Sequence, residues 1–217
     1  MSGYPRSPKL LRAGLVLLDP VSGNLLRIIG LQYNPDTMTR SLQIKGAGSE
    51  GGDRSEALRL KGPPVETIKL EVEIDATDAL EAAQSPTVSL GLHAQIAAIE
   101  ALVHPTSGSL FANNATASSG SLEIAPAEAP LTVFVFGPNR IVPVRITELS
   151  IVEEAFDTSL NPLRAKISLG LRVLSVDDIG FNSKGGGLFM GYLQAKERLA
   201  TQAAGSDFRA LGISGVF

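Results

Sequence analysis

The chain of 217 residues has no cysteine and no tryptophan, and aromatic residues make up only 5% of it. The absence of cysteine excludes disulfide bonds, thiolate metal ligands and a thiol nucleophile. Stability must therefore come from the packing of aliphatic side chains. The hydrophobic fraction of 44% is sufficient for a proper core, and the length predicts one main domain with appendages.

Strong charge of either sign is also missing. The formal net charge is −3, and no run of lysine and arginine is longer than two residues. Such a sequence lacks the basic surface that binds nucleic acid or an anionic membrane, so we expect neither partner.

No apolar run approaches the ~20 residues of a membrane span. The basic and apolar start of the chain is interrupted by Arg12 and ended by Asp19, which favours a first strand over a signal peptide. We therefore expect no membrane insertion, and we expect the protein to be made and kept in the cytoplasm.

The segment from Leu131 to Leu174 is typical of a three-stranded antiparallel meander. Its β-branched and apolar runs are separated at Gly137–Arg140 and at Asp157–Pro162, and both connections contain the residues that turns prefer. The middle run, Ile141 to Phe156, exceeds the usual ~5–10 residues of a strand. A bulge or bend near Pro143 or near Glu153 and Glu154 is expected.

Further strands are predicted in the first half of the chain, at Leu10–Leu18, Leu25–Tyr33, Thr39–Ile44 and Ile68–Ile74. The last of these alternates strictly between apolar and charged residues, so that Glu71, Glu73 and Asp75 fall on its solvent face. The residues alone predict a mostly β domain of the α+β class.

Three helical segments are predicted. Asp78–Ala83 is a short helical turn, and Thr87–Val103 is a helix because Leu92, Ile96, Ile99 and Val103 form one apolar stripe. An amphipathic helix over Leu188–Ala203 follows a glycine-rich linker. The predicted domains are therefore a β domain over 1–176 and, over 177–217, this linker with a C-terminal helical extension.

Two polar, glycine- and serine-rich segments, Lys45–Ser55 and His104–Pro130, are expected to be flexible excursions. The first contains a literal G-x-G-x-x-G at Gly46–Gly51. No helix is predicted to open on its third glycine, so the phosphate-binding helix terminus is missing and a loop is favoured.

The sequence offers no catalytic constellation. Glu100 is the only carboxylate residue near His93 and His104 in the sequence. A metal site would need more ligands, so we expect both histidines to lie at the surface. Serines are numerous, but no G-x-S-x-G elbow is present. We predict no enzyme activity, no catalytic residue, no cofactor and no metal.

Separate motifs, taken together, resemble one known family. They are Leu31–Thr37 (LQYNPDT), Gly91–Leu102 (GLHAQIAAIEAL) closing at Pro105, Phe136–Ile146 (FGPNRIVPVRI) and Asn161–Ala165 (NPLRA). In this order and spacing the chain is similar to the tube-initiator, or tube-adaptor, protein of extracellular contractile injection systems, which are phage-tail-like particles. The resemblance covers Leu10 to Val176.

The resemblance implies a tail-tube-like antiparallel β-barrel or sandwich with one flanking helix, here followed by the C-terminal helix. It further implies a structural protein at the baseplate, assembled as a six-membered ring with copies of itself. Its other partners would be the trimeric spike protein, the hexameric inner tube protein and the baseplate wedge proteins. Localisation would be cytoplasmic during assembly, and then within a virion-like particle that can be released. The LysM domain with which members commonly end has no counterpart here.

Interface residues are expected in two places, the first glycine-rich segment and the C-terminal helix. These residues are Gly46, Gly48, Glu50, Asp53, Arg54 and Arg59, and then Leu188, Met190 and Leu193. The first group is expected to become ordered against a neighbouring ring or the spike. Because an isolated helix of this length is marginal in water, the helix is expected to be buried against its own barrel, a neighbouring subunit or a baseplate protein. The three glycines before it permit reach and favour a contact beyond its own barrel.

Two alternatives remain open. The first is a monomeric β-barrel that binds a small apolar ligand, and the second is a hydrolase that uses a serine and an acid. A ligand barrel would be monomeric with an apolar cavity, so the mass in solution separates it from a ring protein.

Overall fold

A computed structural model describes residues 11–46, 59–118, 129–203, 208 and 212–216. Its strands form one antiparallel sheet of seven strands in the order β2-β1-β5-β6-β7-β4-β3. They are β1 Gly14–Leu18, β2 Leu25–Gly30, β3 Met38–Gln43, β4 Val65–Asp75, β5 Leu131–Val135, β6 Ile141–Phe156 and β7 Pro162–Val173. The predicted mostly β fold class is confirmed, as are the first hairpin and the meander.

The sheet is strongly curled. Gln32, just after β2, donates from Nε2 to the carbonyl of Asp75 and accepts from its N–H, each at 2.9 Å, and Asp75 ends β4. Asn34 follows Gln32 by two residues, so their Cα atoms are at most about 7 Å apart. The Oδ1 of Asn34 accepts a hydrogen bond at 2.9 Å from the backbone N–H of Ala13, which lies just before β1. In a flat sheet β1 and β4 would lie four spacings, about 19 Å, apart. The sheet therefore closes on itself as an incomplete barrel.

The concave face of this sheet encloses the core. Its alternate residues, among them Ile68, Phe134, Ile167 and Leu171, are completely buried. The helices are α1 Thr77–Glu81, α2 Ser85–Leu90, α3 His93–Glu100, α4 Ser107–Ser118, α5 Val176–Ile179 and α6 Lys184–Gln202. Buried residues of α3 and α6 belong to the same core cluster as the strands. No helix within the described ranges is long and apolar enough to cross a membrane.

The predicted helix over Thr87–Val103 is wrong as a single element. It is divided into α2 and α3 at Gly91, where φ is +53° and a Cβ would lie 2.5 Å from the carbonyl oxygen of Pro162. The backbone of Leu92 donates to that same oxygen at 2.9 Å. The break is thus imposed by close packing of this turn on the start of β7.

The expected bulge in β6 is present but misplaced. The register between β6 and β7 shifts between Ile146 and Glu148. Opposite the bulge lies Gly170, where a Cβ would stand 2.8 Å from the Cβ of Glu148. The bulge therefore lies where its partner strand has no side chain.

Two segments predicted as irregular are helical. The excursion over His104–Pro130 contains α4, while residues 119–128 lie outside the described part. The glycine-rich stretch predicted as a linker is the first turn of α6, whose N-cap Ser183 accepts from Gly186 N at 2.9 Å. Gly185 and Gly186 are buried. Glycine is required at both positions because a side chain would overlap Ile179 or the carbonyl of Gly180.

Candidate subunit interface and the two ends of the sheet

The convex face of β6, β7, β4 and β3 is polar and charge-balanced. The register places the outward residues of these strands in adjoining rows, as the alternation predicted. Basic and acidic residues are equal in number on it: Lys69, Arg145, Arg164, Lys166 and Arg172 against Glu71, Glu73, Asp75, Glu148 and Glu154.

Several of these charges pair across strands. Lys69 lies 3.1 Å from Glu148, and Lys166 lies between Glu73 at 3.9 Å and Glu154 at 3.5 Å. These side chains are well exposed, so each pair contributes at most about 1 kcal/mol to folding. The main effect of these pairs is that the face is polar and carries no net charge, and their contribution to the stability of the fold is small.

Asp75 is held by hydrogen bonds from Thr77 and Arg164. Arg164 Nε donates to its Oδ2 at 2.9 Å. The hydrogen bonds from Thr77, followed by that from Arg164, hold the pKa of Asp75 below its usual value. Asp75 also carries the Gln32 contact that closes the sheet, so its place in the fold is structural.

Free backbone edges flank the polar face on both sides. β6 pairs with β5 only over Ile141–Val144. Its remainder, from Arg145 to Phe156, has no partner strand on that side within the described ranges, and the outer edge of β3 has none either. Leu42 on β3 and Val152 on β6 are exposed apolar side chains on these strands. Such edges are templates for pairing with another chain.

One end of the curled sheet is closed by α6 through a buried polar cluster. Glu66, at an inward position of β4, is only 4% exposed. It accepts from Arg40 Nε at 2.8 Å and Nη2 at 2.6 Å, from Tyr192 OH at 3.0 Å and from Lys196 Nζ at 2.9 Å. Lys196 also lies 4.0 Å above the Tyr192 ring. The cluster joins the edge strand β3, β4 and α6 at one carboxylate.

Opposing effects act on the pKa of Glu66. Burial alone raises it, but hydrogen bonds and charge from Lys196 and Arg40 outweigh burial and leave the pKa below its ordinary value. For Arg40, burial lowers the pKa, while the bond and charge of Glu66 raise it by more. The carboxylate is therefore ionised at neutral pH, and its partners are cations that compensate its burial.

The other end of the sheet is covered only in part, by α3. A groove of about 470 Å³ remains between α3, β2 and the last residues of β4. Its lining is mainly apolar: Ile28, Ile29, Leu31, Val72, Ile74, Ala94, Ala98 and Ile99, with Arg27, Gln32 and Gln95 as polar members. Arg27 has no acidic partner in the part of the chain that the structure describes.

Of the predicted interface residues in the glycine-rich segment, the structure describes Gly46 and Arg59. Gly46 pairs with Leu60 in an isolated antiparallel bridge, and Arg59 is exposed beside it. Gly48, Glu50, Asp53 and Arg54 lie outside the described residues, as does most of the segment Lys45–Ser55.

The expectation for α6 is corrected. Leu188, Met190 and Leu193 are half-buried, and Met190 packs against the protein's own core. The apolar stripe continues with Phe189 and Tyr192, which are buried in that core. A contact beyond its own barrel was favoured because the glycines before the helix would permit reach, but those glycines belong to its first turn, and its own sheet covers its apolar face.

Neither the Glu66 cluster nor the groove was predicted from the sequence. A signal for the cluster exists, since Glu66 has the same phase as the apolar residues Ile68 and Leu70 in the alternation of β4. An acid at an inward position calls for buried cationic partners. The groove has no such local signal, because three distant segments form it.

The predicted histidine environment is surface-like, with His93 and His104 both exposed. Among the described residues, no group of histidine and carboxylate side chains could hold a metal ion. Comparison of the chain with known protein-family models and with curated proteins finds no match.

Proposed function

We propose that this protein is a structural ring component at the baseplate of a contractile injection system, a tube initiator that joins the trimeric spike to the hexameric inner tube. The observation that carries the proposal is the β6-β7-β4-β3 section of the sheet. It combines a charge-balanced polar face with a free strand edge on each side.

The two edges are suited to each other. Neighbouring strands of the sheet are antiparallel throughout, so β6 and β3, three positions apart, run in opposite directions. The outer edge of β3 in one copy can therefore continue the sheet beside the free part of β6 in the next copy. A contact between two different surfaces repeats from copy to copy and closes into a ring when the rotation permits.

The polar face is what the wall of a water-filled channel requires. Apolar residues on its rows are few, chiefly Val65, Val152 and Phe156, and opposite charges neutralise each other at close range. A wall with no dominant sign does not hold passing chains of one charge. The motifs that resemble those of tube initiators support the same function, and with it the proposed contacts to the spike, the inner tube and the baseplate wedge proteins.

The competing function, a monomeric barrel that binds a small apolar ligand, has only the groove beside α3 in its favour. Side chains such as Phe134, Ile167 and Leu171 fill the concave side of the sheet. A ligand barrel normally keeps that space for its ligand.

Imaging of assembled particles tests the proposal. The chain is produced together with the spike and tube proteins, and its density is located. We expect a ring on the particle axis between spike and tube. Leu42→Lys, on the β3 edge, should prevent ring formation, whereas Val21→Lys, at the exposed β1–β2 turn, should not. Density at the sheath or fibres would overturn the proposal.

A further inference from the structure

We propose that the groove beside α3 receives the β6–β7 turn of a neighbouring copy of this chain. This inference rests on the proposed ring, and it assigns a second contact to that ring besides the pairing of strand edges. The occupant is argued from complementary chemistry and from the direction of the strands.

The groove lacks an apolar cover and an anion. Ile28 alternates with Arg27 and Ile29 on β2 and is 63% exposed at the rim of the groove, whereas Leu31, Val72 and Ile74 in its lining are buried. Arg27 lies on β2 opposite Leu17, so it shares the inward phase of the strand, yet it remains exposed. Within the described ranges no carboxylate pairs with its guanidinium.

The β6–β7 turn offers the two missing features. Leu160 is 76% exposed and Phe156 is exposed beside it. Glu153 is exposed and has no hydrogen-bonding or ionic partner in the part of the chain described. The neighbouring acids are engaged, since Glu154 pairs with Lys166, and Asp157 accepts from the backbone of Ser159 and Asn161 within the turn. Glu153 is therefore the free anion of this turn.

The strand directions bring these two surfaces together. If β3 of one copy lies antiparallel to the free edge of β6 of its neighbour, the end of β6 at Phe156 meets the beginning of β3 at Met38. The segment before Met38 leads back through Gln32 and Leu31, which line the groove. The β6–β7 turn thus reaches the rim of the groove without any change in the fold. Apolar side chains would fill it, and Glu153 would pair with Arg27.

Charge reversal tests this pairing. Arg27→Glu and Glu153→Arg should each reduce the fraction of chain found in rings by at least about fivefold, because each places like charges together at every subunit contact. The double variant should restore rings to near the wild-type fraction. Arg198→Glu, on the exposed side of α6, is the matched control and should leave ring formation unchanged.

Cysteine cross-linking provides a readout that does not depend on affinity, because the chain contains no other cysteine. The double variant Ile28→Cys, Leu160→Cys should yield disulfide-linked ladders from assembled rings under oxidation. Val21→Cys with Leu160→Cys should yield none. Rings with neither charge rescue nor cross-linking would overturn the groove contact and leave the proposed function standing. The absence of wild-type rings from particles would overturn both.

Discussion

The two ends of the curled sheet are covered by helices, but with different completeness. At one end, α6 spans nineteen residues and inserts Phe189 and Tyr192 into the core, and its polar contacts satisfy the buried Glu66. At the other end, α3 spans eight residues and presents Ala94 and Ala98 to a groove that stays open.

We expect the completely covered end to determine the stability of the single chain and the partly covered end to determine assembly. A complete cover with satisfied polar groups stabilises the single chain, because burial of aromatic side chains and ionic partners is already achieved. An incomplete cover leaves apolar lining such as the half-buried Ile29 accessible to water, which is tolerated where a partner can bind. Substitutions at the α6 end should therefore affect stability, and substitutions at the α3 end should affect assembly.

The largest expected effect is at the aromatic anchor of α6. Phe189→Ala should lower the free energy of unfolding by about 3–5 kcal/mol, since a buried aromatic side chain is removed and a cavity remains. Denaturant unfolding followed by circular dichroism measures this. Leu199→Ala, an exposed position on the same helix, should change stability by less than about 0.5 kcal/mol. Equal effects of the two variants would show that α6 is not part of the core.

A smaller effect is expected at the polar cluster. Glu66→Gln should destabilise the protein by about 1.5–3 kcal/mol, because Arg40 and Lys196 lose their anion while remaining partly exposed to water. The control Glu73→Gln removes an exposed acid from the same strand and should cost under about 1 kcal/mol. A neutral result for Glu66→Gln would mean that the cluster does not hold α6.

The variant Glu66→Gln also tests how the free energy of unfolding depends on pH. The pKa of Glu66 is lowered in the folded protein, so its contribution to stability is fully present above the pKa of an unfolded glutamate, about 4.3. That contribution is lost as the pH falls through the folded-state pKa. Unfolding free energies measured from pH 7 downward should therefore decrease less in Glu66→Gln than in the wild type. Parallel curves would contradict this linkage.

The smallest effect on stability is expected in the groove. Ala98→Phe should change the unfolding free energy by less than about 1 kcal/mol, because the new ring enters open space and not a packed core. Ring assembly should nevertheless fall, since the groove is filled. Sedimentation and denaturant unfolding of the same preparation measure both quantities, and a stability loss comparable to that of Phe189→Ala would show that the groove end is packed.

Local patterns predicted the elements that depend on local chemistry. The alternation in Ile68–Ile74 and in the meander predicted β4, β6 and β7, because much of each strand has one buried and one wet face. β5, which is buried on both faces, was predicted from its apolar run. Elements that depend on tertiary contact were not predictable. The helix break at Gly91 depends on Pro162, which lies far along the chain.

Glycine composition was the most misleading signal. Gly185 and Gly186 suggested a linker, yet they are helical and buried because another turn of the chain packs against them. For the candidate interface, the sequence identified the charged face of β4. The length of the run Ile141–Phe156 indicated a strand longer than its neighbours, but the sequence could not indicate that β3 forms the opposite edge, since strand neighbours follow from topology and not from local pattern.

The central claim is that β3 and the free part of β6 pair with each other between copies. Backbone amide exchange, measured in the free chain and in assembled particles, tests it most directly. We predict that amides of Met38–Gln43 and of the part of β6 beyond Val144 exchange at least about tenfold more slowly in particles, while amides of β1 and β7 change little. Equal exchange rates at both edges in the two states would contradict the account.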